Sequence, residues 1–194
     1  MKTVKFLFVL LFILSTPLQL FGRVTESAEN LLRIIHKVNR HWQENNSPQV
    51  RYFWDNAAYH TGNMEVYELT GNTAYLKYST DWAEYNHWKG AASDNKAEWR
   101  YGYGETPQYV LFGDWQCCFQ TYADLYGIRG DDRRIARARE VLEYQMGTDK
   151  NDYWWWADGL YMVMPVMTKL YRITKNPLYL EKLYEYFSYA DSVM

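Results

Sequence analysis

Aspartates recur beside tryptophan in three separate segments of the chain. Asp55 follows a tryptophan, Asp114 precedes one, and Asp158 comes two residues after a run of three. A carboxylic acid in apolar surroundings keeps its proton to higher pH and can act as a general acid. Asp is also a favoured helix N-cap, but exposed caps rarely have such neighbours. We interpret Asp114 and Asp158 as a catalytic pair, and Asp55 as either a cap or a ligand contact.

The three aspartates lie at nearly constant distances from three similar turns. The turns share a polar sequence with Asn or Asp at a helix start: ELTGNTAYL (68–76), GIRGDDRRI (127–135) and RITKNPLYL (172–180). The aspartates lie 17, 17 and 18 residues before Asn72, Asp131 and Asn176. This spacing predicts three helical hairpins, each with an aspartate near the start of its first helix. In a ring of hairpins, the three carboxylates would share one rim.

Helical periodicity dominates the chain after residue 25, and strand-like alternation is scarce. We therefore predict an all-α protein with about seven long helices. The segment GLYMVMPVMTKLY after Asp158 is apolar nearly all round, which is typical of a helix buried on both sides. Pro165 inside it would cost about 3 kcal/mol in a regular helix and should kink it.

The cysteines and histidines form no recognisable ligand set. Cys117 and Cys118 are adjacent and have no histidine at zinc spacing, so we expect them to fill the core. The glycine-rich segment YGYGETP (101–107) lacks the Lys-Ser/Thr of a phosphate-binding loop, and we interpret it as an aromatic surface loop. We expect no metal and no cofactor.

The first 22 residues have the composition of a secretory signal peptide. Lys2 and Lys5 precede an apolar run over residues 6–14, which is too short to span a membrane. Cleavage near Gly22 would export a chain of residues 23–194 that is secreted or periplasmic and free of the membrane. A net charge of -2 gives no electrostatic reason to expect a nucleic-acid partner.

Three segments of the sequence resemble the unsaturated glycuronyl hydrolases of glycoside hydrolase families 88 and 105, and family 105 most closely. They are WDNAAYHTGNMEVYELTGNTAYLKY, FGDWQCCFQTYADLYGIRGDDR and WWWADGLYMVMPVMTKLY. The resemblance runs from roughly residue 50 to the end. It implies an (α/α)6 six-hairpin barrel of which residues 23–194 would form the N-terminal portion, about the first three hairpins. Such enzymes act on oligosaccharides left by polysaccharide lyases, so the expected partner carries an unsaturated uronate at its non-reducing end.

The resemblance also implies roles for individual residues. Asp158 matches the general acid/base that protonates the C4=C5 double bond and assists water addition at C5. Asp114 matches a second carboxylate that keeps Asp158 protonated by like-charge repulsion. Trp156 matches a tryptophan that stacks on the substrate.

The same subsite should include residues near the start of the first inner helix. Where family members place a histidine, this chain has Asp55 followed by Asn56. Tyr59 and His60 are further candidates to line this subsite, as is Trp115 beside the catalytic pair. The departure from the family pattern leaves the exact sugar open.

Two other functions are compatible with the same residues. An inverting glycosidase on this barrel would use two carboxylates and a water that attacks the anomeric carbon. A glycan-binding module would use the aromatic side chains without any chemistry. The sequence does not name the polysaccharide.

Overall fold

The structure is a computed structural model that describes residues 27–194. The predicted signal peptide, residues 1–22, lies outside the described residues. The chain divides into two compact units, residues 1–46 and 47–194. The described part of the first unit consists mainly of one helix, α1 (27–45).

The larger unit is built from helices. It contains seven α-helices and one 3-10 turn, Lys96–Glu98: α2 (Trp54–Thr70), α3 (Thr73–Tyr85), α4 (Gly113–Gln116), α5 (Cys118–Ile128), α6 (Arg133–Met146), α7 (Ala157–Thr174) and α8 (Leu178–Val193). No strand occurs among residues 27–194. The all-α prediction is confirmed. None of the described helices is both long and apolar enough to cross a membrane.

The helices pair as the three predicted hairpins. Helix α2 packs on α3, α5 on α6 and α7 on α8, while α5 also packs between α2 and α7. The side-chain amide of Gln120 in α5 donates hydrogen bonds to the carbonyls of Tyr161 and Met162 in α7, at 2.8 and 3.0 Å. The hydroxyl groups of Thr61 in α2 and Tyr161 lie 2.9 Å apart. Helices α2, α5 and α7 thus form an inner layer, and the short α4 leads into α5.

The turns between paired helices use the same local bond each time. The side-chain oxygens of Asn72, Asp131 and Asn176 each accept the backbone N–H two residues later, at 3.0, 3.1 and 3.1 Å. These bonds satisfy amide groups that would otherwise have no helical partner. The equivalence inferred from spacing is therefore present in the turn geometry.

Aromatic rings account for much of the core. The edges of Tyr153 and Trp154 meet Tyr186 at centroid distances of 5.4 and 5.3 Å, and the Tyr186 hydroxyl donates to the Gln145 carbonyl at 3.2 Å. Cys117 and Cys118 are free thiols with no exposed surface, as predicted for core residues. Pro165 lies within α7, which continues unbroken to its end.

Candidate active site

The three aspartates occupy the same position in three helices. Each is the second residue of its helix, and the residue before each helix is aromatic and extended: Phe53, Phe112 and Trp156. None of the aspartates is an N-cap, so the capping interpretation fails for all three. Their carboxylates still benefit from the positive end of a helix dipole.

The starts of these helices lie side by side. The rings of Phe53 and Trp115 are 4.5 Å apart, which joins the start of α2 to that of α4. The rings of Phe112 and Trp156 are 4.9 Å apart, which joins α4 to α7. The inner layer therefore carries its aspartates at one end, as the hairpin spacing predicted.

The Trp156 indole lies against both carboxylate-bearing turns. A Cβ on Gly113 would come within 3.2 Å of its ring, and a Cβ on Gly159 within 3.3 Å. Glycine at these positions, one residue before Asp114 and one after Asp158, leaves room for the indole. Trp156 is half-buried, so its predicted stacking on a sugar stays a prediction.

The two carboxylates of the proposed pair differ in environment. Asp114 is only 6% exposed, whereas Asp158 is exposed. The pKa of Asp114 is raised from 3.8 to about 6, chiefly by burial and then by the negative charges of Asp158 and Glu105. The family resemblance assigned the retained proton to Asp158, whereas burial favours a proton on Asp114. The negative charge of Asp158 acts on Asp114 and favours its neutral form.

Asp55 and Asn56 lie at the same rim and form hydrogen bonds with residues close in sequence. Asp55 is exposed and its carboxylate accepts from the Arg51 guanidinium at 3.2 Å. It also accepts from the side-chain amide of Asn56 at 3.1 Å. Both residues remain candidates for contact with a ligand.

His60 does not line the rim, which corrects the prediction made from its sequence position. It is 1% exposed, and its Nδ1 lies 3.0 Å from the Ser79 hydroxyl in α3. Its ring stacks on Trp82 at 4.0 Å, and burial lowers its pKa to about 3. Tyr59 is half-buried and packs edge-on against Tyr78 of the same helix α3, at 5.8 Å. Both residues serve the α2–α3 interface.

Trp115 also differs from its prediction. It is 7% exposed and packs against Phe53, so it offers little surface to a sugar. Its indole N–H donates to the carbonyl of Gly104 at 3.0 Å. The residue predicted to contact substrate instead fastens the segment 101–107.

The segment 101–107, here called the rim loop, is the part of the site that sequence reasoning missed. Its Glu105 pairs with Arg51 at 2.7 Å, just before α2. Its Tyr101 hydroxyl donates to Asp152 at 3.0 Å, shortly before α7. The glycine-rich sequence close to Asp114 indicated a loop, but it did not indicate which residues the loop contacts.

No group of three or more His, Cys, Asp or Glu side chains suited to a metal ion occurs within residues 27–194. The rim carries the carboxyl groups of Asp55, Asp114 and Asp158 and the aromatic face of Trp156. A buried, proton-retaining carboxyl beside an accessible one can deliver and recover a proton.

The sequence profile of Glycosyl Hydrolase Family 88 matches residues 28–194. The chain belongs to Glycosyl Hydrolase Family 88. The match begins well before residue 50, where the resemblance was expected to start, and it takes in almost all of α1. Family 88 membership agrees with the resemblance seen in the three aspartate segments.

Solved structures of similar proteins share this fold. A family 88 glycosyl hydrolase from Bacteroides vulgatus is 69% identical, with a TM-score of 0.85 over 86% of this chain and 48% of its own. A protein described as a polysaccharide lyase is 68% identical, with a TM-score of 0.84 over 87% of this chain and 48% of its own. The likeness to the family 88 structure confirms the predicted fold class.

A curated relative is more distant. The unsaturated 3S-rhamnoglycuronyl hydrolase of Formosa agariphila is 24% identical over 140 residues, which are 69% of this chain and 35% of that protein. The chain thus spans about a third of this relative's length and about half the length of the two solved structures.

Proposed function

We propose that this family 88 chain carries the acid/base pair of an enzyme that removes a terminal unsaturated uronic acid from an oligosaccharide. The observation that supports it most directly is the buried Asp114, with its pKa raised to about 6, beside the accessible Asp158. The proton that burial keeps on Asp114 is available for transfer in mildly acidic solution.

The proposed reaction is hydration of the C4=C5 double bond. Asp158, the accessible member, delivers the proton held by the buried Asp114 to C4, and the water whose oxygen bonds to C5 returns a proton to the two carboxyl groups. The resulting hemiketal at C5 opens and expels the neighbouring sugar. Asp114, the buried member, holds the proton between turnovers. Trp156, wedged between the two helix starts, offers its exposed ring area to the sugar face.

A relative supports an unsaturated substrate. The Formosa agariphila protein is named for an unsaturated rhamnoglycuronyl substrate, which carries the double bond that this reaction consumes. We propose an oligosaccharide left by a polysaccharide lyase, with no cofactor. We further propose that the chain is exported by residues 1–22 and meets its substrate outside the cytoplasm.

Product analysis in oxygen-18 water tests this function. The protein should be this chain joined to the remaining half of the Bacteroides vulgatus relative, with the 194-residue chain in parallel. Loss of the double-bond absorbance, with label at C5, is the expected result. Label at the anomeric carbon would indicate an inverting glycosidase instead. Affinity with no turnover would indicate a glycan-binding module.

A polysaccharide lyase is the second candidate, because a 68% identical protein is described as one. A lyase creates the double bond that the proposed hydrolase consumes. The same absorbance should therefore rise on intact polyuronate for a lyase and fall on an unsaturated disaccharide for the hydrolase. The substitution Asp158→Asn should abolish the fall, since an amide cannot deliver a proton; general acid catalysis is worth roughly 10²–10⁴-fold.

A further inference from the structure

The rim loop is fastened to all three parts of the site. Three polar contacts hold it: Arg51 Nη1 to Glu105 Oε2 at 2.7 Å, Trp115 Nε1 to the Gly104 carbonyl at 3.0 Å, and the Tyr101 hydroxyl to Asp152 Oδ2 at 3.0 Å. These partners precede α2, lie in α4 and precede α7, respectively. The loop therefore crosses the end of the inner layer at which the aspartates lie.

One cation joins two carboxylates at this rim. The Arg51 guanidinium binds Glu105 through Nη1 and Asp55 through Nη2, the latter at 3.2 Å. It also lies over the Phe53 ring, 4.6 Å from the centroid. Arg51 and Glu105 are each about half exposed, at 48% and 47% of their side-chain area. Glu105 thus directly follows Gly104, whose carbonyl accepts a hydrogen bond from Trp115. Trp115 is the neighbour of Asp114 in the sequence.

We propose that Arg51 and Glu105 are positioning residues that set how readily the buried Asp114 gives up its proton. This inference deepens the proposed function, because it concerns the carboxyl pair to which that function assigns the reaction. Neither residue needs to touch the substrate. Glu105 supplies a negative charge on the loop that Trp115, the neighbour of Asp114, holds in place, and its ion pair with Arg51 partly neutralises that charge.

The charges around Asp114 determine whether a substitution raises or lowers its pKa. The negative charges of Asp158 on α7 and of Glu105 on the rim loop both raise its pKa. Cys117 lies on its own chain segment, and burial keeps that thiol neutral by raising its pKa to about 12. Interactions at a buried carboxyl are only weakly screened, so a charge at the rim still acts on it. Removing Glu105 should lower the pKa of Asp114, and removing Arg51 should raise it.

The test is a carbon-detected NMR titration of the aspartate carboxyl groups in the 194-residue chain. The Asp114 resonance is assigned by its loss in Asp114→Asn. In Glu105→Gln the Asp114 midpoint should fall by roughly half a pH unit, the size expected for a partly screened charge at such a site. In Arg51→Met it should rise by a similar amount, and Arg51→Lys should restore most of the original value.

Opposite shifts separate an electrostatic role from a structural one. Both substitutions break the same ion pair, so a loop that merely came loose would move Asp114 in the same direction in both variants. Shifts of the same sign, or none, would overturn the proposal. Matched controls are Asp81→Asn and Lys77→Met, which break an exposed pair of 2.6 Å on α3 and should leave the Asp114 midpoint unchanged.

The titration requires no substrate, so it stands apart from the proposed reaction. Opposite shifts together with failure of the absorbance assay would reject only the proposed function. Where both succeed, the limb of the pH–rate profile that belongs to Asp114 should move down in Glu105→Gln and up in Arg51→Met.

Discussion

Burying Asp114 beside Asp158 costs the fold free energy whenever the Asp114 carboxyl is ionised. Its pKa rises from 3.8 to about 6 on folding. Between these values the native chain binds more protons than the unfolded chain, so the contribution of Asp114 to stability falls as the pH rises through this window. A shift of this size corresponds to roughly 1–3 kcal/mol. Such a cost at a single residue is typical of a functional site.

Asp114→Asn should therefore stabilise the chain at neutral pH. The amide resembles the neutral acid, so the gain should reach roughly 1–3 kcal/mol above pH 7 and vanish below pH 4. Urea unfolding of both proteins over this pH range measures the gain. Asp81→Asn, in an exposed ion pair, is the control and should show no gain at neutral pH. A uniform loss of stability in Asp114→Asn would show that the carboxylate is stabilising and contradict the burial argument.

At the residue scale, the spacing of residues along the chain predicted equivalent positions for the aspartates. It did not predict towards which side of the helix a given side chain points. Constant spacing located Asp114 and Asp158 at equivalent helix positions. His60 follows Asp55 by five residues, which turns it about 140° around the helix axis and away from the rim. The Arg51–Glu105 pair joins residues 54 positions apart, so no local pattern could predict it.

At the scale of the helices, packing between the helix starts determines how closely the site residues approach one another. Gly113 in α4 approaches the Trp156 indole, just before α7, so closely that a methyl group there would require the ring to move. Sequence periodicity predicted the hairpins because it is local. It gave no measure of how near two helix starts approach, because that distance depends on side-chain volumes across the interface.

Gly113→Ala should displace α7 from α4 at the rim. The added methyl lies 3.2 Å from the Trp156 ring and 3.3 Å from Val163, so we expect a loss of roughly 1–3 kcal/mol and a changed tryptophan fluorescence. The matched control is Gly62→Ala within α2, where nothing lies within 4 Å of the new methyl. That variant should gain roughly 0.5–1 kcal/mol from helix propensity. Equal behaviour of the two variants would refute the packing argument.

The α2–α3 hairpin should be sensitive to acid. Burial lowers the pKa of His60 to about 3, so the unfolded chain binds its proton first and stability is lost as the pH falls below 6.5. Between pH 7 and 4.5 the loss is roughly 2–3 kcal/mol. Because Asp114 changes stability in the opposite sense, hydrogen exchange resolved by segment is the proper measurement.

Wild-type protection in α2 and α3 should fall on acidification relative to α7 and α8. The variant His60→Gln keeps a polar group near Ser79 but cannot titrate, so its protection pattern should be insensitive to pH. An acid response of the same size in His60→Gln would assign the effect to another group.

At the scale of the whole molecule, repetition made the fold predictable. Each hairpin repeats a turn, an aspartate and an inner helix, so one repeat predicts the others. The buried aromatic core joins them, and its members all lie between residues 53 and 190. The repeat does not predict the rim loop. This loop lies between α3 and α4 and has no counterpart in the turns of the hairpins.

Exposed apolar residues at the helical surface should make the chain associate with itself. On α1, Leu31, Ile34 and Val38 form one stripe with exposures of 59%, 55% and 65%. On α8, Tyr184 is 71% exposed. Contiguous apolar patches of this kind promote association in water, whereas a single exposed leucine does not.

Sedimentation velocity should show a mass that rises with protein concentration. Replacing both Leu31 and Val38 with lysine should shift the equilibrium towards the monomer, because the stripe then carries two like charges. Leu69→Lys changes a residue that is equally exposed, at 66%, but lies outside the stripe, so it should leave the association nearly unchanged. A monomer at every concentration would contradict the expectation. Equal effects of the two changes would assign association to net charge instead of to the α1 stripe.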